Sequence, residues 1–227
     1  MQQINKLAGG AVLLALMQSA AFAEGTAVTA KVGTLGLGAD IAVQTPHEGV
    51  VGRLGFNAFN YSFNGMRNTV NYNAKLQLQT VTALADWYPS SDAGFRVSGG
   101  LVYNNNKASF TGTPTGGTYT LGGVVYNATQ IGGVNGTTTF NSVAPYLGIG
   151  FGNPVASGKG WGVTSDIGIL FQGSPKTALT ATCGVGVAPA VCAQVQASAA
   201  AEQTKLNDSM KNFRYYPVAS IGVTYQW

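Results

Sequence analysis

Large apolar residues alternate with small or polar ones, with a period of two, along much of this chain. The last run is the clearest. From Tyr215 to Trp227, Tyr215, Pro217, Ala219, Ile221, Val223, Tyr225 and Trp227 share one face, and Tyr216, Val218, Ser220, Gly222, Thr224 and Gln226 the other. Successive side chains of an extended strand point to opposite faces, so the pattern predicts a strand with one apolar side. Further runs read the same way. Leu35, Leu37, Ala39, Ile41 and Val43 alternate with Gly36, Gly38, Asp40 and Ala42, and Leu54, Phe56 and Ala58 with Arg53, Gly55 and Asn57. Leu76, Leu78, Thr80, Thr82 and Leu84 are set against Gln77, Gln79, Val81 and Ala83. Phe95, Val97, Leu101 and Tyr103 oppose Arg96, Ser98, Gly100 and Val102. Val143, Pro145, Leu147, Ile149 and Phe151 oppose Ala144, Tyr146, Gly148 and Gly150, and Trp161, Val163, Ile167, Ile169 and Phe171 oppose Thr164, Asp166 and Gly168. Each of these seven runs is about the ten residues that a tilted strand needs to cross a bilayer.

The second face decides between a soluble and a membrane barrel. In water that face would be dense in Lys and Glu; here it is mostly Gly, Ala, Ser, Thr, Gln and Asn. Its few charges, Asp40, Arg53, Arg96, Asp166 and Arg214, all lie on it and none on the apolar side. An unpaired buried charge costs several kcal/mol, so these groups are expected to form a paired network in a narrow lumen, with Asp86 a candidate third acid. The fold class that follows is all-β: a small antiparallel transmembrane β-barrel, with eight strands expected because bacterial single-chain barrels have even counts. Seven runs leave the eighth strand open between residues 26–32 and 177–182.

Met1 to Ala23 reads as a secretory signal, with Lys6 ahead of an apolar stretch from Leu7 to Met17 and an Ala21-Phe22-Ala23 cleavage site. That stretch falls short of the roughly twenty residues of a spanning helix. Residues 24–227 then form a single barrel domain. Only 9% of residues are charged, against about a quarter in an ordinary soluble domain, and 10% are aromatic, which does not fit a disordered chain or a nucleic-acid binder. The net charge of +4 comes from scattered bases without a Lys/Arg stripe, so no nucleic-acid partner is expected. Cys183 and Cys192 are a close pair in an exported chain and read as a disulfide.

The connections sort by length. Residues 44–49, 88–94 and 152–160 are short and belong on the periplasmic side, whereas 60–74, 104–140 and 173–212 are long and would be extracellular. Tyr119 to Tyr126 reads as a small hairpin over Gly122-Gly123. Residues 193–211 are the helical candidate, with a weak Val195/Ala199/Leu206/Met210 stripe, either capping the barrel or lying in a solvated loop.

Several segments carry a family resemblance: Leu35-Gly-Leu-Gly-Ala-Asp40, Ala85-Asp-Trp-Tyr-Pro89, Gly100-Leu-Val-Tyr-Asn104, Ala144-Pro-Tyr-Leu-Gly-Ile-Gly150, Gly168-Ile-Leu-Phe-Gln-Gly-Ser-Pro175 and Tyr215-Tyr-Pro-Val218. Together they resemble a poorly characterised group of small proteobacterial outer-membrane β-barrel proteins, over nearly the whole mature chain. More distantly the chain is similar to the eight-stranded outer membrane proteins of the A, W and X kinds. The resemblance implies fold and location and no substrate or reaction. Expected partners are outer-membrane lipids and lipopolysaccharide, with the barrel-assembly machinery reading the C-terminal strand; the expected state is a monomer.

No constellation for catalysis stands out. His47, the one histidine, sits in a predicted periplasmic turn beside Pro46 and Glu48, away from the extracellular rim where barrel enzymes place their base. Gly132-Gly-Val-Asn-Gly-Thr-Thr138 lacks the Gly-Lys-Ser/Thr of a phosphate loop. Neither a metal cluster nor a cofactor is expected. Trp87, Tyr88, Trp161, Tyr225 and Trp227 fall near periplasmic strand ends and read as an aromatic girdle. The expectation is a structural or surface-interaction barrel without catalysis, the alternative a narrow channel for small or hydrophobic solutes.

Overall fold

The computed structural model describes residues 25–67, 69–90, 94–155 and 159–227; the expected signal segment lies outside them. In chain order the strands are β1 (Thr26–Gly33), β2 (Gly36–Gln44), β3 (Val50–Arg67), β4 (Val70–Trp87), β5 (Phe95–Asn104), β6 (Lys107–Pro114), β7 (Thr118–Leu121), β8 (Val124–Asn127) and β9 (Ile131–Thr139). They continue as β10 (Val143–Phe151), β11 (Gly160–Phe171), β12 (Lys176–Cys183) and β13 (Tyr215–Gln226), with the helix α1 (Pro189–Met210) before the last.

Every strand pairing is antiparallel, and eight strands close on themselves in the order β1-β2-β3-β4-β5-β10-β11-β13. The missing strand of the sequence pattern is β1, which pairs β13 from Ala27↔Gln226 to Gly33↔Ser220 and so shuts the ring. The other candidate, residues 177–182, lies in β12 and outside the ring. Above the ring, β6, β9 and β12 extend the wall along the upper part of β4, in the order β4-β6-β9-β12. They follow β5 directly, precede β10 and follow β11, so the barrel wall continues upward as an open-sided sheet. β7 and β8 form a separate hairpin.

This extension corrects the reading of residues 60–74 as a loop. β3 and β4 are 18 residues each and stay paired from Val50↔Trp87 to Arg67↔Val70. At about 3.3 Å per residue that is roughly 60 Å, twice what the ring needs. It also corrects the phase assigned to β4. Within the ring Val81, Ala83, Ala85 and Trp87 face outward, while Thr80, Thr82 and Asp86 are buried inside. The pattern misled because the run straddles the rim. On β3 the outward residues Leu54, Phe56 and Ala58 give way to Asn60, Ser62 and Asn64, while the inward residues Arg53, Gly55 and Asn57 give way to Phe59, Tyr61 and Phe63. The apolar side changes over between Asn57 and Asn60. On β4 the change falls between Gln79 and Val81.

α1 runs along β12 in place of a further strand. Its Gln203 side chain accepts the Leu179 N–H at 2.8 Å, and Asn207 accepts the Thr177 N–H at 2.7 Å and donates to the Thr177 carbonyl at 3.1 Å. Three groups of an exposed strand edge are thereby satisfied. Val195 and Ala199 bury themselves with Leu121, Tyr126, Ile131, Leu179 and Ala181. The disulfide Cys183–Cys192 joins the end of β12 to the first turn of α1. The helix begins at Pro189, four residues before the Ala-rich stretch suggested, and packs beside the wall rather than in the lumen.

Candidate functional site

Among the described residues, three layers of side chains fill the ring. At the end with the short turns, Ala27, Ala42, Val51, Tyr88 and Val155 cluster. At the other end Leu35, Val102, Ala144, Tyr146, Leu170 and Val218 do so. Between them lies a charge cluster, and the sign alternates from strand to strand: Lys31 on β1, Asp40 on β2, Arg53 on β3, Asp86 on β4, Arg96 on β5 and, beyond β10, Asp166 on β11. Three cations meet three anions. Each strand holds its charge in inward phase, and all six side chains are at most 10% exposed.

Arg53 is the hub. Its guanidinium reaches Asp86 at 2.9 Å, Asp166 at 3.0 Å and Asp40 at 3.6 Å. Lys31 meets Asp40 at 2.7 Å, and Arg96 meets Asp166 at 2.8 Å and Asp86 at 3.7 Å. The Ser98 hydroxyl donates to Asp86 at 2.6 Å and the Ser220 hydroxyl to Asp166 at 3.5 Å. Asp40 Oδ1, Arg53 Nε, Asp86 Oδ2 and Arg96 Nε lie in ion-pair reach but off hydrogen-bond alignment. The cluster is therefore held by charge more than by direction. Room for it is made by absent side chains: a Cβ at Gly55 would strike the Asp40 carboxylate, and one at Gly150 would come within 2.8 Å of Arg96.

Arg96 also anchors the turn beneath. Its guanidinium donates to the carbonyls of Gly152, Phe151 at 3.3 Å and Ser165 at 3.3 Å. Tyr88, in the β4–β5 turn, donates to the Gly152 carbonyl at 3.4 Å, and burial pushes its phenol up to about 12. The cluster is net-neutral, and the chain's one histidine is not part of it. His47 is exposed in the β2–β3 turn, its backbone N–H donating to Thr45 Oγ1 at 3.3 Å. No group of three or more metal-ligating side chains occurs among the described residues.

The structure thus brings together Asp40, Arg53, Arg96 and Asp166, with Asp86 beside them. Arg214 is a correction: it is exposed where α1 hands over to β13 and donates its Nε to the Lys211 carbonyl at 3.0 Å. Inward parity places a side chain in the lumen only within the ring, and position 214 precedes it. Lys31 was missed because its strand was not assigned, although it is the single charged residue between Thr26 and Ala39. Of the aromatic residues at this end, Trp161 is 77% exposed and packs edge-on against Tyr225 at 5.0 Å, and Tyr225 against Trp227 at 5.1 Å. Trp87 also faces out. Tyr88 does not belong with them; following an outward Trp87, it turns inward and is buried. Phe171 and Tyr215, 5.6 Å apart, start a second aromatic belt at the opposite end, where Tyr103 also faces out.

The fold is similar to that of two crystal structures from Acinetobacter baumannii. For CarO the identity is 24%, covering 90% of this chain and 98% of that one, with a TM-score of 0.54. For CarO2 it is 23%, covering 89% and 98%, with a TM-score of 0.56. No family model and no curated protein matches the chain. These neighbours lend no support to the likeness to the A, W and X kinds drawn from pattern. Ring and neighbours together establish an all-β, eight-stranded antiparallel barrel with one helix in its last long connection.

Proposed function

We propose that the protein is an integral outer-membrane barrel with a closed lumen, whose role is structural and surface-directed rather than catalytic. Exposed Leu37, Leu54, Leu147, Ile149, Val163 and Ile167 make a continuous outward apolar band. It is bounded by Trp161 and Tyr225 at one end and Phe171 and Tyr215 at the other. From Trp161 to Phe171 a strand rises about 33 Å, or about 25 Å once tilted, the height of an outer-membrane apolar band. In water such a band would far exceed the few hundred Å² of exposed apolar patch that monomers tolerate. On this reading the short turns are periplasmic, and β6, β9, β12 and α1 project outward from the cell.

The six-charge cluster carries the closed-lumen reading. Opening a path would separate buried ions, each separation costing several kcal/mol. The test is a planar-bilayer recording of the refolded protein. Conductance at the level of bare lipid is expected, and stepwise openings would overturn the closed lumen. The alternative passage for small hydrophobic solutes draws support from Phe59, Tyr61 and Phe63, exposed on the inner side of the extension. Its route would leave sideways above the short β1–β2 hairpin. The reading also expects outer-membrane fractionation and a heat-modifiable gel band. Recovery of the protein soluble in the periplasm would sink it.

A further inference from the structure

The outward face of the wall changes character just above the second aromatic belt. Below the change, Phe56, Val81, Leu101 and Tyr103 face out. In the first row above it, Asn60, Gln77, Lys107, Thr139 and Lys176 stand side by side across five strands. Directly opposed residues of an antiparallel pair share a face. The next row adds Lys75 between Ser62 and Ser109. With strands about 4.8 Å apart, Lys107 and Lys176 are separated by roughly 10 Å at the backbone, and Lys75 is one diagonal step, about 7–8 Å, from Lys107.

These three ammonium groups have no ion-pair partner among the described residues, and the acids on the described strands, Asp40, Asp86 and Asp166, all point into the lumen. Around Lys107 a polar pocket of about 190 Å³ is lined by Asn60, Gln77, Gln79 and Asn105. The Asn105 side-chain amide donates to Gln79 Oε1 at 3.0 Å, which fixes both amides at the pocket wall. Lower on the same wall an apolar groove of about 670 Å³ starts between Leu54, Ala83 and Leu101 and runs down to Thr45 and Pro46 at the short-turn end. It begins four residues below Gln79, about 13 Å along β4.

We propose that this wall is a binding site for one phosphate-bearing lipid of the outer leaflet. Its anionic headgroup sits on Lys75, Lys107 and Lys176 and the neighbouring amides, and the end of an acyl chain reaches the upper part of the groove, at Ala83 and Leu101. The inference rests on the outer-membrane reading above. Charge complementarity selects the occupant, since a purely apolar partner would leave three cations uncovered at headgroup height. The small side chains of the groove floor let a chain lie against the backbone, and the amides supply directed donors and acceptors for phosphate and sugar hydroxyls.

The test uses the full mature chain refolded into phosphatidylcholine nanodiscs, with purified lipopolysaccharide as the probe and binding read by native mass spectrometry. Replacing all three lysines (K75Q, K107Q and K176Q) is expected to weaken binding about 100-fold at low salt, and less as salt screens the charges. Filling the groove with A83L and G99L is expected to weaken it about tenfold with the lysines intact. Dephosphorylated lipopolysaccharide on the wild-type protein is expected to lose as much as the lysine variant, a measurement independent of how any variant folds. Equal binding of the phosphorylated and dephosphorylated lipid, or displacement by inorganic phosphate at equal concentration, overturns the site. Failure of the wild-type chain to insert at all overturns the outer-membrane reading instead. Insertion without lipid preference overturns only the site.

Discussion

The lower and upper halves of β3 and β4 are built from the same two continuous strands, yet they wear their apolar residues on opposite sides. In the ring, Leu54 and Phe56 face out and Arg53 and Asn57 face in; higher up, Asn60 and Ser62 face out and Phe59 and Tyr61 face in. No bulge intervenes, since the pairing runs without a shift from Val50↔Trp87 to Arg67↔Val70. The backbone is indifferent to the change. On the outer-membrane reading, what reverses is the solvent on the outer side, from hydrocarbon to water, and with it the residues that side can carry. The phase of a strand is a local report of its surroundings, so a single strand can report two.

That contrast can be broken most severely at the lower half's interior. Replacing Arg53 by Leu leaves Asp40 with Lys31 alone and strips Asp86 and Asp166 of their main partner. The expected loss is about 3–5 kcal/mol, read as a fall in the urea midpoint of the vesicle-bound protein. Tyr61→Arg, on the inner side of the upper half, is expected to change the same midpoint by less than about 0.5 kcal/mol, because that surface already meets solvent. On the outer side, Leu54→Arg is expected to cost about 2–4 kcal/mol near mid-membrane and Asn64→Arg at most about 1. Equal costs at 54 and 64 would show that the change of phase does not mark the membrane boundary. A smaller effect is expected where the extension is sealed. Gln203→Ala with Asn207→Ala removes the acceptors of the Leu179 and Thr177 N–H groups, and with water able to enter the vacated space the cost is about 0.5–1 kcal/mol each. Hydrogen exchange should quicken along β12 and stay unchanged in β13. The smallest is Tyr88→Phe, which removes one hydroxyl contact with Gly152 for about 0.5–1.5 kcal/mol of midpoint stability.

The sequence was most legible where one side of a strand meets a single environment along its length. β5, β10, β11 and β13 alternate as read, and their outward residues are the exposed ones. β4 was misread because Leu76 and Leu78 belong to the upper phase and Val81 and Ala83 to the lower, so one template spanned both. β6 and β9 were read as loop because Thr111, Gly112, Asn135 and Gly136 offer no apolar contrast. There one side is watered and the other rests partly on the helix. In the charge cluster, the signal was a scarce ion in inward phase, which located Asp40, Arg53, Arg96 and Asp166. The same rule failed for Arg214, since parity fixes a side and not a height. It could not reach Lys31 without β1, whose mix of Thr, Ala and Gly gives a faint pattern.

The strand-by-strand alternation of charge has a consequence for how the barrel closes. In a barrel that spans a bilayer, a strand that slips by one residue turns its apolar side inward and is rejected by the lipid. A slip by two keeps every residue on its proper side, and hydrophobicity cannot detect it. Ions gathered at one height can: moving Arg53 or Asp86 by two residues, about 6.6 Å, parts it from its neighbours and strands a charge in the interior. The cluster thus acts as a proofreading mark, carried by six of the eight staves, that distinguishes the native alignment from the even-numbered slips the hydrophobic code permits.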